Sequence, residues 1–165
     1  FPQGLRPNVQ VIATVLSTDQ ENYPTILAVN GASAALMISG LPFEGPVGAV
    51  RVGFIEDRFV INPTLRQLEE ESRLDLVVAG TAEAIIMVEA SAKEVPEETM
   101  LAAFDVAQAE IRRIVEIQHR LVEMAGKPRR EFPLATPDRD LETAVREAAL
   151  PLIGEALAHP EKLAR

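Results

Sequence analysis

An α/β layered domain followed by a helical tail is the fold class this sequence predicts. Three observations predict it. Short, apolar, β-branched runs recur at Val9–Leu16, Val47–Ile55, Arg58–Ile61, Leu74–Ala79 and Ala84–Glu89. A long amphipathic stretch follows from Pro96 to Ala125, and a proline-rich, basic segment from Lys127 to Pro137 leads into a second helical pattern. The order strand, helix, four strands, long helix is that of a sheet with helices layered on it.

Val9–Leu16 is almost wholly apolar, as in a strand buried on both faces. Ser17–Asn22 is a polar turn, and Pro24–Ser39 turns helical, with Ile26, Leu27, Val29, Leu36, Met37 and Ile38 as its larger groups. Ala28, Gly31, Ala32, Ser33, Ala34 and Ala35 make one stretch unusually small. A glycine inside a helix costs roughly 0.5–1 kcal/mol, so this small face is expected to pack closely against the sheet. Gly40 and Pro42 end the helix.

Glu56-Asp57 forms a short hairpin loop between two strands. Asn62-Pro63-Thr64 breaks the second strand, and Thr64 is placed to cap a short acidic helix reaching Glu71. Gly80-Thr81 joins the next two strands. Met100, Leu101, Phe104, Ala107, Ile111, Ile114, Val115, Leu121, Val122 and Ala125 then trace one helical stripe. Glu97 and Glu98 suit its N-terminus, and at about 1.5 Å per residue the helix spans roughly 45 Å. A last helix is expected over Asp138–Ala158, kinked or broken at Pro151.

Chemistry is sparse on this chain. The net charge of −9 and a pI near 4.8 argue against general coating of nucleic acid, which needs clustered cations. Cysteine is absent, which removes disulfides and thiolate chemistry, and the two histidines, His119 and His159, form no cluster. No apolar run reaches membrane-spanning length, which predicts a soluble, cytoplasmic chain without membrane partners. Phe1-Pro2-Gln3-Gly4 reads as the interior of a longer chain. Glu69-Glu70-Glu71 with Asp75 can offer carboxylates to a divalent cation, though a solvated acidic turn accounts for them better. Lys127, Arg129 and Arg130 can grip phosphate, or simply complement a helix end. Gly45-Pro46-Val47-Gly48 lacks the spacing of a phosphate loop. Nothing around Ser33 marks a nucleophile.

Longer blocks carry more. Gly31-Ala32-Ser33-Ala34-Ala35-Leu36 is followed by Ser39-Gly40-Leu41-Pro42-Phe43-Glu44-Gly45-Pro46-Val47-Gly48-Ala49-Val50-Arg51-Val52-Gly53. Asn62-Pro63-Thr64, Leu74-Asp75-Leu76-Val77-Val78-Ala79-Gly80-Thr81 and Ala125-Gly126-Lys127-Pro128-Arg129 come next. In this order the five blocks resemble the first core half of bacterial polynucleotide phosphorylases. The resemblance implies an RNase PH-like layered β-α-β domain over residues 1–130, incomplete at its N-terminus, and the start of an all-helical linker domain over 131–165.

It also implies a function for the parent protein. Inorganic phosphate attacks the 3′-terminal phosphodiester of RNA and releases nucleoside diphosphates; the reverse reaction polymerises them. The expected parent is a homotrimeric ring with RNA and phosphate as substrates, a magnesium ion held by its second half, and degradosome-type protein partners. In that second half a serine pair holds phosphate and an Asp-x-Asp-x-Lys stretch serves the metal and leaving group. Aligned on shared landmarks, this chain carries Tyr23-Pro24-Thr25 in place of the serines. Arg73-Leu74-Asp75-Leu76-Val77 stands in place of the acidic stretch, with Glu69 near a further acid. The resemblance thus implies a structural half with no catalytic, cofactor-binding or metal residue of its own. The alternative is an inert RNase PH-like subunit of an exosome-type ring, acting as scaffold.

Overall fold

The computed structural model describes residues 1–161, so the last four residues of the expected helical tail, 162–165, lie outside the described residues. Two compact units are present, one of Phe1 with Asn8–Glu131, the other of Pro2–Pro7 with the chain from Phe132 onward.

In the larger unit, helix α1 (Pro24–Ile38) precedes strands β1 (Gly48–Ile55) and β2 (Arg58–Ile61). A five-residue π-type turn (Gln67–Glu71), strands β3 (Leu74–Gly80) and β4 (Ile85–Ala92) and helix α2 (Glu97–Ala125) follow. The strands form one antiparallel sheet in the order β2-β1-β3-β4. Its register pairs Val50 with Val78 and Val52 with Leu76. These residues alternate onto one face of the sheet, where Ala103, Ala107, Ile111 and Val115 of α2 cover them. Val50, Val52, Leu74, Leu76, Val78 and Ile111 are fully buried, and each contributes about 1.5–3 kcal/mol by leaving water. The apolar spacing of α2 has a structural reading over its first half: Met100, Phe104, Ala107, Ile111, Ile114 and Val115 of the expected stripe roof the sheet, whereas Leu101 is 63% exposed and Ala125 is exposed.

Several local expectations hold. Thr64 accepts a hydrogen bond from the Gln67 amide, and Gln67 Oε1 accepts one from the Thr64 amide, a reciprocal capping box. At the hairpin tip, Glu56 and Asp57 adopt positive φ of 47° and 58°, the twist that suits a two-residue connection between right-twisted strands.

Two expectations are corrected, and of the kink or break expected at Pro151 the break is absent. Val9–Leu16 is no strand: Ile12 and Leu16 are 75% and 93% exposed, and the segment lines an open groove beside Leu27, Ala28, Gly31 and Ala35 of α1. An apolar run becomes a strand only where its backbone finds a partner, and this one lies along α1. The small face of α1 consequently faces that groove rather than the sheet; a Cβ on Gly31 would meet nothing within 4 Å. The residues that α1 turns inward are Ile26, Asn30 and Ser33. Pro151 does not break the tail. Helix α3 (Arg139–Ala158), in the smaller unit, runs through it, capped by the Asp138 carboxylate, which accepts from the Asp140 and Leu141 amides. In the same unit Leu5 pairs with Leu134 as an isolated antiparallel bridge.

The basic stretch after α2 acts through its backbone. The Lys127 amide donates to Ile38 O at 3.0 Å and the Arg130 amide to Gly40 O at 2.8 Å, strapping the chain to the end of α1. Gly40 has φ +76°, and a Cβ there would lie 2.5 Å from Pro128 O. Gly40→Ala is expected to cost about 2 kcal/mol, from positive-φ strain and the backbone clash; urea unfolding at unchanged m-value measures it.

Candidate functional site

Site geometry grows from one anomaly in β1. Arg51 is the single charged residue in an otherwise apolar, buried strand. Its side chain is only 15% exposed, with Nε 2.9 Å from Oδ1 of Asp75 on neighbouring β3. The guanidinium carbon lies 4.1 Å from the ring centroid of Tyr23, just before α1. A guanidinium so placed is held by a carboxylate and by the negative face of an aromatic ring together. Nε and Oδ1 meet at ion-pair distance but outside hydrogen-bond geometry, and Nη1, equally buried, has no acceptor either.

Neighbouring amides complete the setting. Beyond the short β2 strand, Asn62 receives the Arg51 amide on its side-chain oxygen at 2.9 Å, and its own amide donates to Arg51 O at 2.7 Å. Asn30 of α1 grips Ala49 in the same way, donating to its carbonyl and accepting from its amide. Asn30 and Asn62 thus continue the ladder where β2 ends. Before α1, Asp19 accepts from the Glu21 and Asn22 amides and from the Asn22 side chain. Those bonds, the Asn22 amide foremost, lower its pKa to about 2. The turn fixes the approach of Asn22 and Tyr23 to a pocket of about 200 Å³, bounded also by Ile26, Leu27, Arg51, Asn62 and Pro63.

The sequence-derived candidates fall on both sides of this arrangement. Tyr23 and Asp75, one from each compared segment, meet at Arg51. Thr25 is exposed and Pro24 is the first residue of α1. Arg73 turns away to donate to Glu94 O, and Val77 pairs with Arg51 across the sheet. Glu69 and Glu71 are exposed, while Glu70 pairs with Arg66 at 2.9 Å. Among the described residues, no three or more acidic or histidine side chains converge on a metal position. Ser33 is a buried hub, donating to Gln118 Oε1 at 2.7 Å and accepting from the Val47 amide at 2.9 Å. Gln118 closes the ring by donating to Val47 O. Sequence reasoning passed over Arg51, Asn30, Asn62 and Gln118. For Arg51 a signal existed: a lone charge in a buried strand implies a partner.

Residues 45–110 match the family model for the 3′ exoribonuclease family, domain 2. Curated relatives match all 165 residues. The polyribonucleotide nucleotidyltransferase of Heliobacterium modesticaldum is 50% identical, and the chain spans 23% of it. Those of Thermomicrobium roseum and Shouchella clausii are each 49% identical, with 21% and 23% of their lengths covered. The chain spans less than a quarter of the curated relatives it matches. None of the described helices is long and apolar enough to cross a membrane. Along its whole length the chain is similar in sequence to one stretch of the polyribonucleotide nucleotidyltransferases, and within it residues 45–110 match a domain of the 3′ exoribonuclease family.

Proposed function

We propose that this chain is one part of a phosphate-dependent 3′-to-5′ exoribonuclease that degrades RNA to nucleoside diphosphates, and that its own part is structural. The observation that carries the second half of this reading is the Arg51–Asp75 ion pair seated on Tyr23. It joins the two segments that, in a catalytic half, would hold phosphate and metal. Magnesium prefers several oxygen ligands in near-octahedral geometry. Here Asp75 is already engaged by Arg51, Arg73 turns away to Glu94 O and Val77 offers no oxygen, so these residues do not fit the ion. Magnesium, RNA and phosphate therefore belong to the rest of the parent in this reading, as do the homotrimeric ring, the degradosome-type partners and the cytoplasmic setting. The match of the whole chain to nucleotidyltransferases favours this over an exosome-type scaffold subunit.

The test is Asp75→Asn in the intact parent. Turnover of poly(A) in phosphate and magnesium is expected to stay within about threefold, while stability falls by about 1–2 kcal/mol as Arg51 loses its counter-charge. A loss of 10²–10³, the usual consequence of removing a preorganised catalytic group, would make this half catalytic.

A further inference from the structure

We propose that Asn30 is a site of spontaneous deamidation, an irreversible modification admitted by local opening of α1, and that the reaction severs the hold of α1 on β1. Of the four asparagines, Asn8, Asn22 and Asn62 precede Val9, Tyr23 and Pro63, and Asn30 alone precedes a glycine. Cyclisation needs the next residue's amide nitrogen to reach the side-chain carbonyl carbon. Pro63 has no N–H to lose, and the side chains of Val9 and Tyr23 crowd the approach. Gly31 has no side chain to do so. It is exposed, and a Cβ there would meet nothing within 4 Å, so no neighbouring group shields it.

The step needs only the chain and water. The Gly31 nitrogen bonds to Asn30 Cγ, the Cγ–Nδ2 bond breaks, and ammonia leaves with the Gly31 amide proton. Water then opens the cyclic imide at either carbonyl, giving aspartate or isoaspartate. The closed helix resists this, because Gly31 lies within the α1 ladder and the Asn30 side chain is held at both ends. It donates to Ala49 O at 3.0 Å and accepts from the Ala49 amide at 2.7 Å. Opening releases both restraints, and α1 is built to open. It has no side-chain cap at Tyr23 and no acidic residue in its first turn, and of its fifteen residues only Ile26 and Ser33 are buried. A helix with so few buried contacts opens locally without unfolding of the whole unit. Afterwards the clamp cannot re-form, since a carboxylate has no hydrogen to give Ala49 O and sets a half-buried charge against it. Isoaspartate also inserts a methylene into the main chain between Ile26 and Ser33, which puts the two anchors of α1 out of phase.

Timed peptide mapping of the 165-residue chain in warm neutral buffer tests this. The readout is conversion of amide to acid in the tryptic peptide ending at Arg51, located by fragmentation, with an isoaspartate-specific methyltransferase counting the rearranged product. In the urea-unfolded chain Asn30 is expected to convert before Asn8 and Asn22. In the folded chain it should convert at least about tenfold more slowly, with isoaspartate among the products. Ser33→Ala, which loosens α1 from Gln118 and Val47, should speed conversion in the folded chain severalfold. Gly31→Ala has room for its methyl group and should slow conversion even in urea, which separates the chemistry of cyclisation from the opening of the helix. Earlier conversion of Asn8 or Asn22 in urea, equal rates in the folded and unfolded chains, or a rate in folded Ser33→Ala no higher than in the parent chain overturns the proposal. None of these readouts depends on phosphorolysis, so the functional reading above stands or falls separately.

Discussion

Poly(A) incubated with the purified 165-residue chain, phosphate and magnesium is expected to yield no nucleoside diphosphate above the uncatalysed background. Phosphoryl transfer is positioning plus stabilisation of developing charge, and the proposed structural role rests on the compared positions supplying neither. Tyr23 lies against a guanidinium, and Pro24 at the first position of α1 has no backbone N–H to offer a phosphate. Asp75 is spent on Arg51, and Val77 supplies no charge where the resemblance implies a lysine. Loss of a single preorganised donor commonly costs 10²–10³ in rate. Several such losses do not add simply, but together they bring turnover to background. Separation of the reaction products by thin-layer chromatography measures this. Phosphate-dependent diphosphate release by the chain alone would refute the structural reading of this segment.

Ser33→Ala is expected to lower stability by about 3 kcal/mol, a large effect for removal of one oxygen. The hydroxyl is 4% exposed with its residue and serves two partners at once. Without it the Val47 amide loses its acceptor and Gln118 Oε1 its donor, both where α1, α2 and the entry to β1 meet. Each buried group left unsatisfied costs about 1–3 kcal/mol, and the small void adds to this. For a unit of this size the melting temperature should fall by roughly 10 °C. Thr25→Ala, at an exposed position near the start of α1, should change stability by no more than about 0.5 kcal/mol. Equal melting temperatures for Ser33→Ala and the parent chain would show that the Ser33–Gln118–Val47 ring carries no stability.

Where the physics is local, the sequence by itself determined the outcome. The spacing of Ala103, Ala107, Ile111 and Val115 commits α2 to one buried stripe whatever it packs against. Thr64 and Gln67 stand three apart, so a capping box follows from two residue types alone. Alternation in β1 and β3 places Val50, Val52, Leu76 and Val78 on a common face. Glu56-Asp57 is short enough to force a tight hairpin.

Only the tertiary structure decided the rest, because it depends on partners distant along the chain. Val9–Leu16 has strand composition, yet composition cannot supply the neighbouring backbone that a strand needs. The small residues of α1 were legible as a stripe, but which neighbour they face was not, since an absent side chain is compatible with close packing and with open space alike. Ser33 meets Gln118 across 85 positions, a separation no local pattern encodes. The pocket is the sharpest case. Tyr23, Arg51, Asn62 and Asp75 come from a turn, two strands and a loop, and the antiparallel register that sets Gly53 opposite Asp75 brings Arg51 within reach of its carboxylate. Periodicity fixes which way a side chain points from its own element; only the packing of elements fixes what it meets there.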